Sequence, residues 1–71
     1  MSAKVYMCTD LEGASGVTQE SQSFADAGRY EAARRSLTYD VNAAVHGAQD
    51  AGAEHVVVVD GHGHHSGYNF L

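Results

Sequence analysis

The chain has 71 residues, of which 44% are hydrophobic and 18% are charged, a composition typical of a globular protein. Nine acidic and four basic residues give a net charge of −5, which argues against nucleic acid or an anionic membrane surface as a partner. The longest apolar runs have four residues, too few to span a bilayer, and no signal peptide is recognisable. The single cysteine excludes an intramolecular disulfide and fits a cytoplasmic location.

The first predicted element is a strand at residues 4–9, where Val5 and Tyr6 favour β-structure. Residues 10–28 are rich in Gly, Ser, Asp and Gln, which is typical of a long loop. We therefore expect the chain to leave the first strand at Asp10 and to cross a loop before the next regular element.

A helix is predicted over residues 29–51, because apolar residues recur there in steps of 3, 4, 4, 3 and 4 positions. The residues of this stripe are Tyr30, Ala33, Leu37, Val41, Ala44 and Ala48. Gly52 follows the stripe and is suited to end the helix, since glycine adopts a left-handed backbone conformation without strain.

A second strand is predicted at residues 55–60, which include four consecutive valines. An unbroken β-branched run indicates a strand that is covered on both faces, as in a parallel sheet. A helix that connects two strands makes them parallel, so the fold class is α/β with a βαβ unit. One helix covers only one face of such a sheet. More strands must therefore come from further sequence or from other subunits, and we expect residues 1–71 to be a single partial domain.

Polar side chains follow both predicted strands. Asp10 and Glu12 come after the first strand, whereas Asp60 and His62 come at and after the end of the second. Ligands of parallel sheets bind at the carboxyl ends of the strands, where these four side chains would converge. Taken alone, each aspartate is more often a helix cap or part of an Asx turn. Together, carboxylates and an imidazole form a donor set suited to a divalent metal such as zinc.

Other polar or reactive residues give weaker signals. Consecutive side chains such as those of His64 and His65 point to opposite faces of extended backbone, so we do not expect both to bind one ion. Each of the two could be a metal ligand, a substrate contact or an exposed loop residue. Cys8 is expected to be a small buried side chain within the first strand. Ser15 lies in a glycine-rich turn that matches neither a P-loop nor a nucleophile elbow. His46 lies off the apolar stripe and is expected to face solvent.

Two segments of the sequence together resemble a known family. They are Tyr6-Met7-Cys8-Thr9-Asp10-Leu11-Glu12-Gly13-Ala14-Ser15-Gly16 and Val59-Asp60-Gly61-His62-Gly63. They are similar to the N-terminal part of the zinc-dependent D-aminopeptidases of the DppA type, peptidase family M55. The resemblance covers essentially the whole chain, and it implies that residues 1–71 are the N-terminal βαβ segment of a larger three-layer α/β domain. The element after the first strand and the Asp-x-His element after the second are fairly specific in combination, whereas either alone is weak.

The resemblance implies a site with two zinc ions that hydrolyses short peptides with D-residues. Asp10 matches the residue that bridges the metals, Glu12 and His62 match further ligands, and Asp60 is a candidate to orient the His62 imidazole. Carboxylate-rich sites also accept manganese or cobalt. The family's remaining ligands and its catalytic histidine lie further along the sequence, so no catalytic residue is expected within these 71. Family members form large rings, which implies a homo-oligomer for the full-length protein.

The residues and the resemblance together leave three alternative functions open. The first is the N-terminal portion of a metal-dependent aminopeptidase, with a small peptide as substrate. The second is a small metal-binding module without catalysis, and the third is a truncated fragment with no independent function. We expect the 71 residues alone to be inactive and poorly soluble, because the second strand would keep an uncovered face and open edges.

Overall fold

A computed structural model describes residues 3–18, 22, 28–62 and 69–71 of the chain. Strand β1 spans Ala3–Thr9, helix α1 spans Gly28–Asp50, and strand β2 spans Ala53–Asp60. The predicted α/β class and the order strand, helix, strand are confirmed. The predicted loop also contains a short 3-10 helix at Leu11–Gly13. Within the described residues, no helix combines the length and the apolar character needed to cross a membrane.

The two strands form a parallel pair, as the connecting helix predicts. Val5 pairs with Val56, Met7 with Val58, and the pairing ends at Thr9 and Asp60. β2 begins two residues before the predicted start, because Ala53 already pairs with Ala3 across an irregularity in the register. Gly52, with a φ of 103°, makes the left-handed turn that separates α1 from β2, as the sequence predicts.

The core lies between the N-terminal half of α1 and the segment that follows β1. Its buried members include Tyr30, Ala33 and Leu37 of the predicted stripe, and it also contains Leu11, which is fully buried. The stripe is less buried further along α1, where Ala44 is exposed. The segment after β1 is therefore packed as part of the core, and this packing fixes the position of the residues around Leu11.

Within the described residues, one face of the sheet is exposed. Tyr6 is 71% exposed and Val57, its partner across the strands, is 50% exposed. Cys8 lies on the same face and is also exposed, so the prediction that it is buried is wrong for the described chain. The reason is that α1 packs against the opposite face, and alternate residues of β1 point away from it. His46 is exposed, as predicted.

Candidate metal centre

The carboxyl ends of β1 and β2 lie side by side and carry the candidate ligands. Thr9, the last residue of β1, pairs with Asp60, the last residue of β2. The pairing continues for one further step, since the Gly61 backbone N–H donates to the Thr9 carbonyl oxygen at 2.7 Å. Asp10 and His62 each follow this last hydrogen bond by one residue. The strand register thus places them next to each other.

Gly61 is required at this point because of its close approach to β1. A Cβ atom at position 61 would lie 2.9 Å from both the Cys8 Sγ and the Thr9 carbonyl oxygen. Real Cβ contacts essentially never fall below 3.0 Å. The absence of a side chain therefore lets the segment that carries His62 reach the end of β1.

Three side chains meet at this edge. The Nδ1 atom of His62 lies 3.0 Å from Asp10 Oδ1 and 2.8 Å from Glu12 Oε1. One potential ligand atom from each of the three residues lies within 4.8 Å of the other two. The structure thus brings together Asp10, Glu12 and His62, the three residues that the sequence analysis selected as ligands.

Glu12 reaches the site through a turn. If the backbone stayed extended after β1, alternation would make its side chain face the same way as that of Asp10. Instead, Glu12 lies in the 3-10 helix Leu11–Gly13, whose turn is closed by the Gly13 N–H donating to the Asp10 carbonyl oxygen at 2.9 Å. Burial of Leu11 fixes this turn. Core packing, and not extended backbone, therefore brings the two carboxylates to one histidine.

Asp10 has the backbone of a helix cap. It precedes the 3-10 helix in an extended conformation, with φ −141° and ψ 135°. Among the contacts of the described residues, its side chain makes no capping hydrogen bond. The carboxylate contacts His62 and also the Glu12 backbone, which helps to lower the pKa of Asp10, so this side chain serves both the cluster and the turn.

Burial differs sharply within the cluster. The His62 side chain is only 3% exposed, whereas those of Asp10 and Glu12 are 63% and 56% exposed. The imidazole is thus held by the protein interior while both carboxylates are open to solvent. The cluster therefore has a fixed inner member and an accessible acidic side from which an ion or a substrate can approach.

The three groups change one another's proton affinity. Hydrogen bonds to Glu12 and to His62 lower the pKa of Asp10 below its usual value. Burial alone would lower the pKa of His62, but its hydrogen bond to Asp10 and the negative charge of Glu12 outweigh this and raise it. When Nδ1 carries a proton, it can donate to both carboxylates. A proton on Nδ1 would therefore lie between the two acidic side chains.

Asp60 supports the segment that carries His62. Its Oδ1 atom accepts a hydrogen bond from the His62 backbone N–H at 3.2 Å. Its Oδ2 atom accepts from the backbone N–H and the side-chain Nδ2 of Asn69, at 3.0 and 2.9 Å. The contact to His62 is an Asx-type turn, one of the ordinary roles of an aspartate after a strand. These bonds fix the backbone on which the imidazole is mounted.

Sequence reasoning missed two connections between the site and α1. The Tyr30 hydroxyl donates to Asn69 Oδ1 at 2.6 Å, although Tyr30 carried only the signal of an apolar stripe. Ser15 donates from its backbone N–H and its hydroxyl to the Asp40 carboxylate, at 2.7 and 3.1 Å. Sequence separations of 39 and 25 residues leave no periodic signal that could reveal such pairs. His64 and His65 lie outside the described residues.

A cavity of about 360 Å³ adjoins the cluster at Asp10. It lies between β1 and the middle of α1, and its apolar walls include Met7, Leu37 and Val41. Asp10 therefore borders both the group of potential ligands and an apolar space of the size that holds small organic groups.

The family model described as D-aminopeptidase, Peptidase M55, matches residues 3–70. The chain belongs to the M55 family of D-aminopeptidases. Membership implies a peptidase, that is, a hydrolase. No curated protein and no solved structure matches the chain.

Proposed function

We propose that this chain supplies Asp10, Glu12 and His62 to a two-zinc site that removes N-terminal D-amino acids from short peptides. The observation that carries the proposal is the group of three donor atoms within 4.8 Å, in a chain of the D-aminopeptidase family. Manganese and cobalt bind the same donor atoms, so the identity of the metal as zinc is itself proposed.

The donor set fits a divalent metal. Two carboxylates and one imidazole are the ligand types of catalytic zinc sites, in which each ligand atom lies about 2.0–2.2 Å from the ion. Atoms that share one ion are therefore at most about 4.4 Å apart. The His62 Nδ1 lies 3.0 and 2.8 Å from the two carboxylates, well inside this limit. A metal would take the place of the His62 proton between the two acidic side chains.

Each residue has a distinct role in this proposal. Asp10, at the rigid end of β1, would bridge the two ions, while Glu12 and His62 would each bind one. When bound, zinc would supply polarisation of the peptide carbonyl and an activated water molecule. The apolar cavity beside Asp10 can take a small side chain of the peptide. The full-length protein is proposed to be a cytoplasmic homo-oligomer.

Metal content per chain, measured by elemental analysis, tests the ligand assignment. In the full-length protein, Asp10→Ala should lose both ions, whereas His62→Ala should lose chiefly one. Matched controls are Asp50→Ala and His46→Ala, which remove the same groups from exposed positions of α1 and should retain both ions. Unchanged zinc in Asp10→Ala would contradict the proposal.

Activity tests the substrate class separately. The zinc-loaded full-length protein should release the first residue from a dipeptide with an N-terminal D-amino acid and should act more slowly on the L-isomer. Equal rates on both isomers would refute the D-specificity and leave the metal site to the elemental analysis. Zinc binding without hydrolysis of either isomer would favour the metal-binding module over the enzyme.

A further inference from the structure

A chain of buried hydrogen bonds runs from α1 to the backbone of His62. The Tyr30 hydroxyl donates to Asn69 Oδ1, both donors of Asn69 reach Asp60 Oδ2, and Asp60 Oδ1 accepts from the His62 N–H. All four residues are buried: Tyr30 is 5% exposed, Asn69 0%, Asp60 7% and His62 2%. We call these four residues the Tyr30–His62 hydrogen-bond network.

Each member of the Tyr30–His62 hydrogen-bond network fixes the position of the next. Asp60 uses both carboxylate oxygens as acceptors, one for Asn69 and one for His62, so a shift of Asn69 changes the position of the oxygen that holds His62. The side chain of Asn69 uses its amide as a donor to Asp60 and its oxygen as an acceptor from Tyr30. Buried bonds of this kind are costly to break, because water cannot replace the lost partner.

The Tyr30–His62 hydrogen-bond network ends at His62, the buried member of the cluster. His62 is the buried ligand, and the two carboxylates face solvent, so the location of the site within the protein depends on His62. Its ring is held by contacts to the carboxylates, but its backbone is held by Asp60. Tyr30 lies in the first turn of α1, and thus connects this backbone to the longest element of the fold.

We propose that Tyr30 and Asn69 are positioning residues for the metal site, and that they act through Asp60 on the backbone of His62. This inference rests on the proposed function for its consequence, the affinity for metal. It extends that function to Tyr30 and Asn69. None of the hydrogen bonds described above joins either of them to a side chain of Asp10, Glu12 or His62.

The test is Tyr30→Phe in the full-length protein, which removes the hydroxyl and keeps the ring in the core. Tyr39→Phe is the matched control, since it makes the same change at an exposed position of α1. Amide hydrogen exchange of the metal-free protein gives the first measurement. Tyr30→Phe should raise exchange of the His62 N–H about tenfold, as expected for local opening after loss of one hydrogen bond. Exchange of amides within the strand pair should stay unchanged, and Tyr39→Phe should match the wild type.

Zinc affinity gives the second measurement. Tyr30→Phe should weaken binding about tenfold, the lower end of the effect of residues that orient metal ligands. In a His62→Ala background, the same substitution should have no further effect on the zinc that remains, because the two changes act through one residue. An equal loss in both backgrounds, or raised exchange throughout the sheet, would show a general structural role and overturn the inference.

The two proposals can fail separately. If the wild type binds zinc and Tyr30→Phe binds it equally well, the positioning role is wrong and the metal site stands. If the wild type binds no zinc, the proposed function is wrong, and exchange of the His62 amide still decides whether Tyr30 holds its backbone. Unchanged exchange of that amide in Tyr30→Phe overturns the inference in either case.

Discussion

Substitution of Gly61 by alanine tests how the two halves of the site are held together. The added Cβ would lie 2.9 Å from the carbonyl oxygen of Thr9 and from the Sγ of Cys8, whereas ordinary contact begins at 3.4 Å. Position 61 must therefore move away from β1 by about 0.5 Å, the difference between these distances. The Cys8 side chain can rotate out of the way, but the Thr9 carbonyl is backbone and cannot.

The cost follows from these contacts. Gly61 is exposed, but an atom forced into contacts this short with backbone typically destabilises a protein by about 1–3 kcal/mol. The displacement would also stretch the hydrogen bond from the Gly61 N–H to the Thr9 oxygen, which is now 2.7 Å, to about 3.2 Å. We expect Gly61→Ala to lower the free energy of unfolding by about 1–3 kcal/mol. Because position 61 precedes His62 directly, zinc affinity should fall about tenfold as well.

The measurements are denaturant unfolding of the metal-free protein and titration with zinc. Gly47→Ala is the matched control: it lies within α1, and none of the described atoms outside its own helical surroundings comes within 4 Å of an added Cβ. It should raise the free energy of unfolding by about 0.5–1 kcal/mol, since alanine favours a helix over glycine, and it should leave zinc affinity unchanged.

A double variant separates the two close contacts. Adding Cys8→Ala to Gly61→Ala removes the sulfur and leaves the Thr9 carbonyl in place, so only part of the lost stability should return. Full recovery would mean that the contact with sulfur alone makes glycine necessary. The reasoning as a whole is refuted if Gly61→Ala is as stable as the wild type and binds zinc equally well.

Three further predictions concern the supports of the site and its protonation. Asp60→Asn places an amide donor against either the donors of Asn69 or the His62 N–H, and should lower the free energy of unfolding by about 1–3 kcal/mol, measured by denaturant unfolding; unchanged stability would contradict the assigned acceptors. The pKa of His62 is raised above its ordinary value of 6.5, so a proton on His62 should compete with zinc at a pH somewhat above 6.5. Titrations should therefore show zinc affinity rising with pH and levelling off above the raised pKa, and a pH-independent affinity would contradict this prediction. Over the same pH range the metal-free protein should lose the stabilisation that protonated His62 gives it. Asp40→Ala frees the turn at Ser15 and should weaken zinc binding less than His62→Ala does, measured by the same titration; an equal loss would contradict this ranking.

Local patterns in the sequence were sufficient for the regular elements. The valine run predicted β2, the 3.6-residue periodicity predicted α1, and a glycine predicted the turn between them at position 52. The connection by a helix predicted that the strands are parallel, and a parallel pair brings both carboxyl ends to one edge. Asp10 and His62 were expected to meet for this reason, and the structure brings them together.

The tertiary structure decided how those residues are held. Glu12 reaches His62 from a 3-10 turn fixed by the buried Leu11, and not by alternation along extended backbone. Cys8 is exposed because α1 covers the other face of the sheet. These outcomes depend on which surfaces pack together, and a periodic pattern in one segment carries no information about the partner that covers it.

The sequence by itself determined the elements, their order, and the edge of the sheet where the candidate ligands gather. Local backbone preferences and strand direction are sufficient for that much. Only the tertiary structure decided that His62 is the buried member of the cluster and that Tyr30 and Asn69 support it through Asp60. Those bonds join residues up to 39 positions apart, and a buried donor selects its acceptor by proximity in the folded chain.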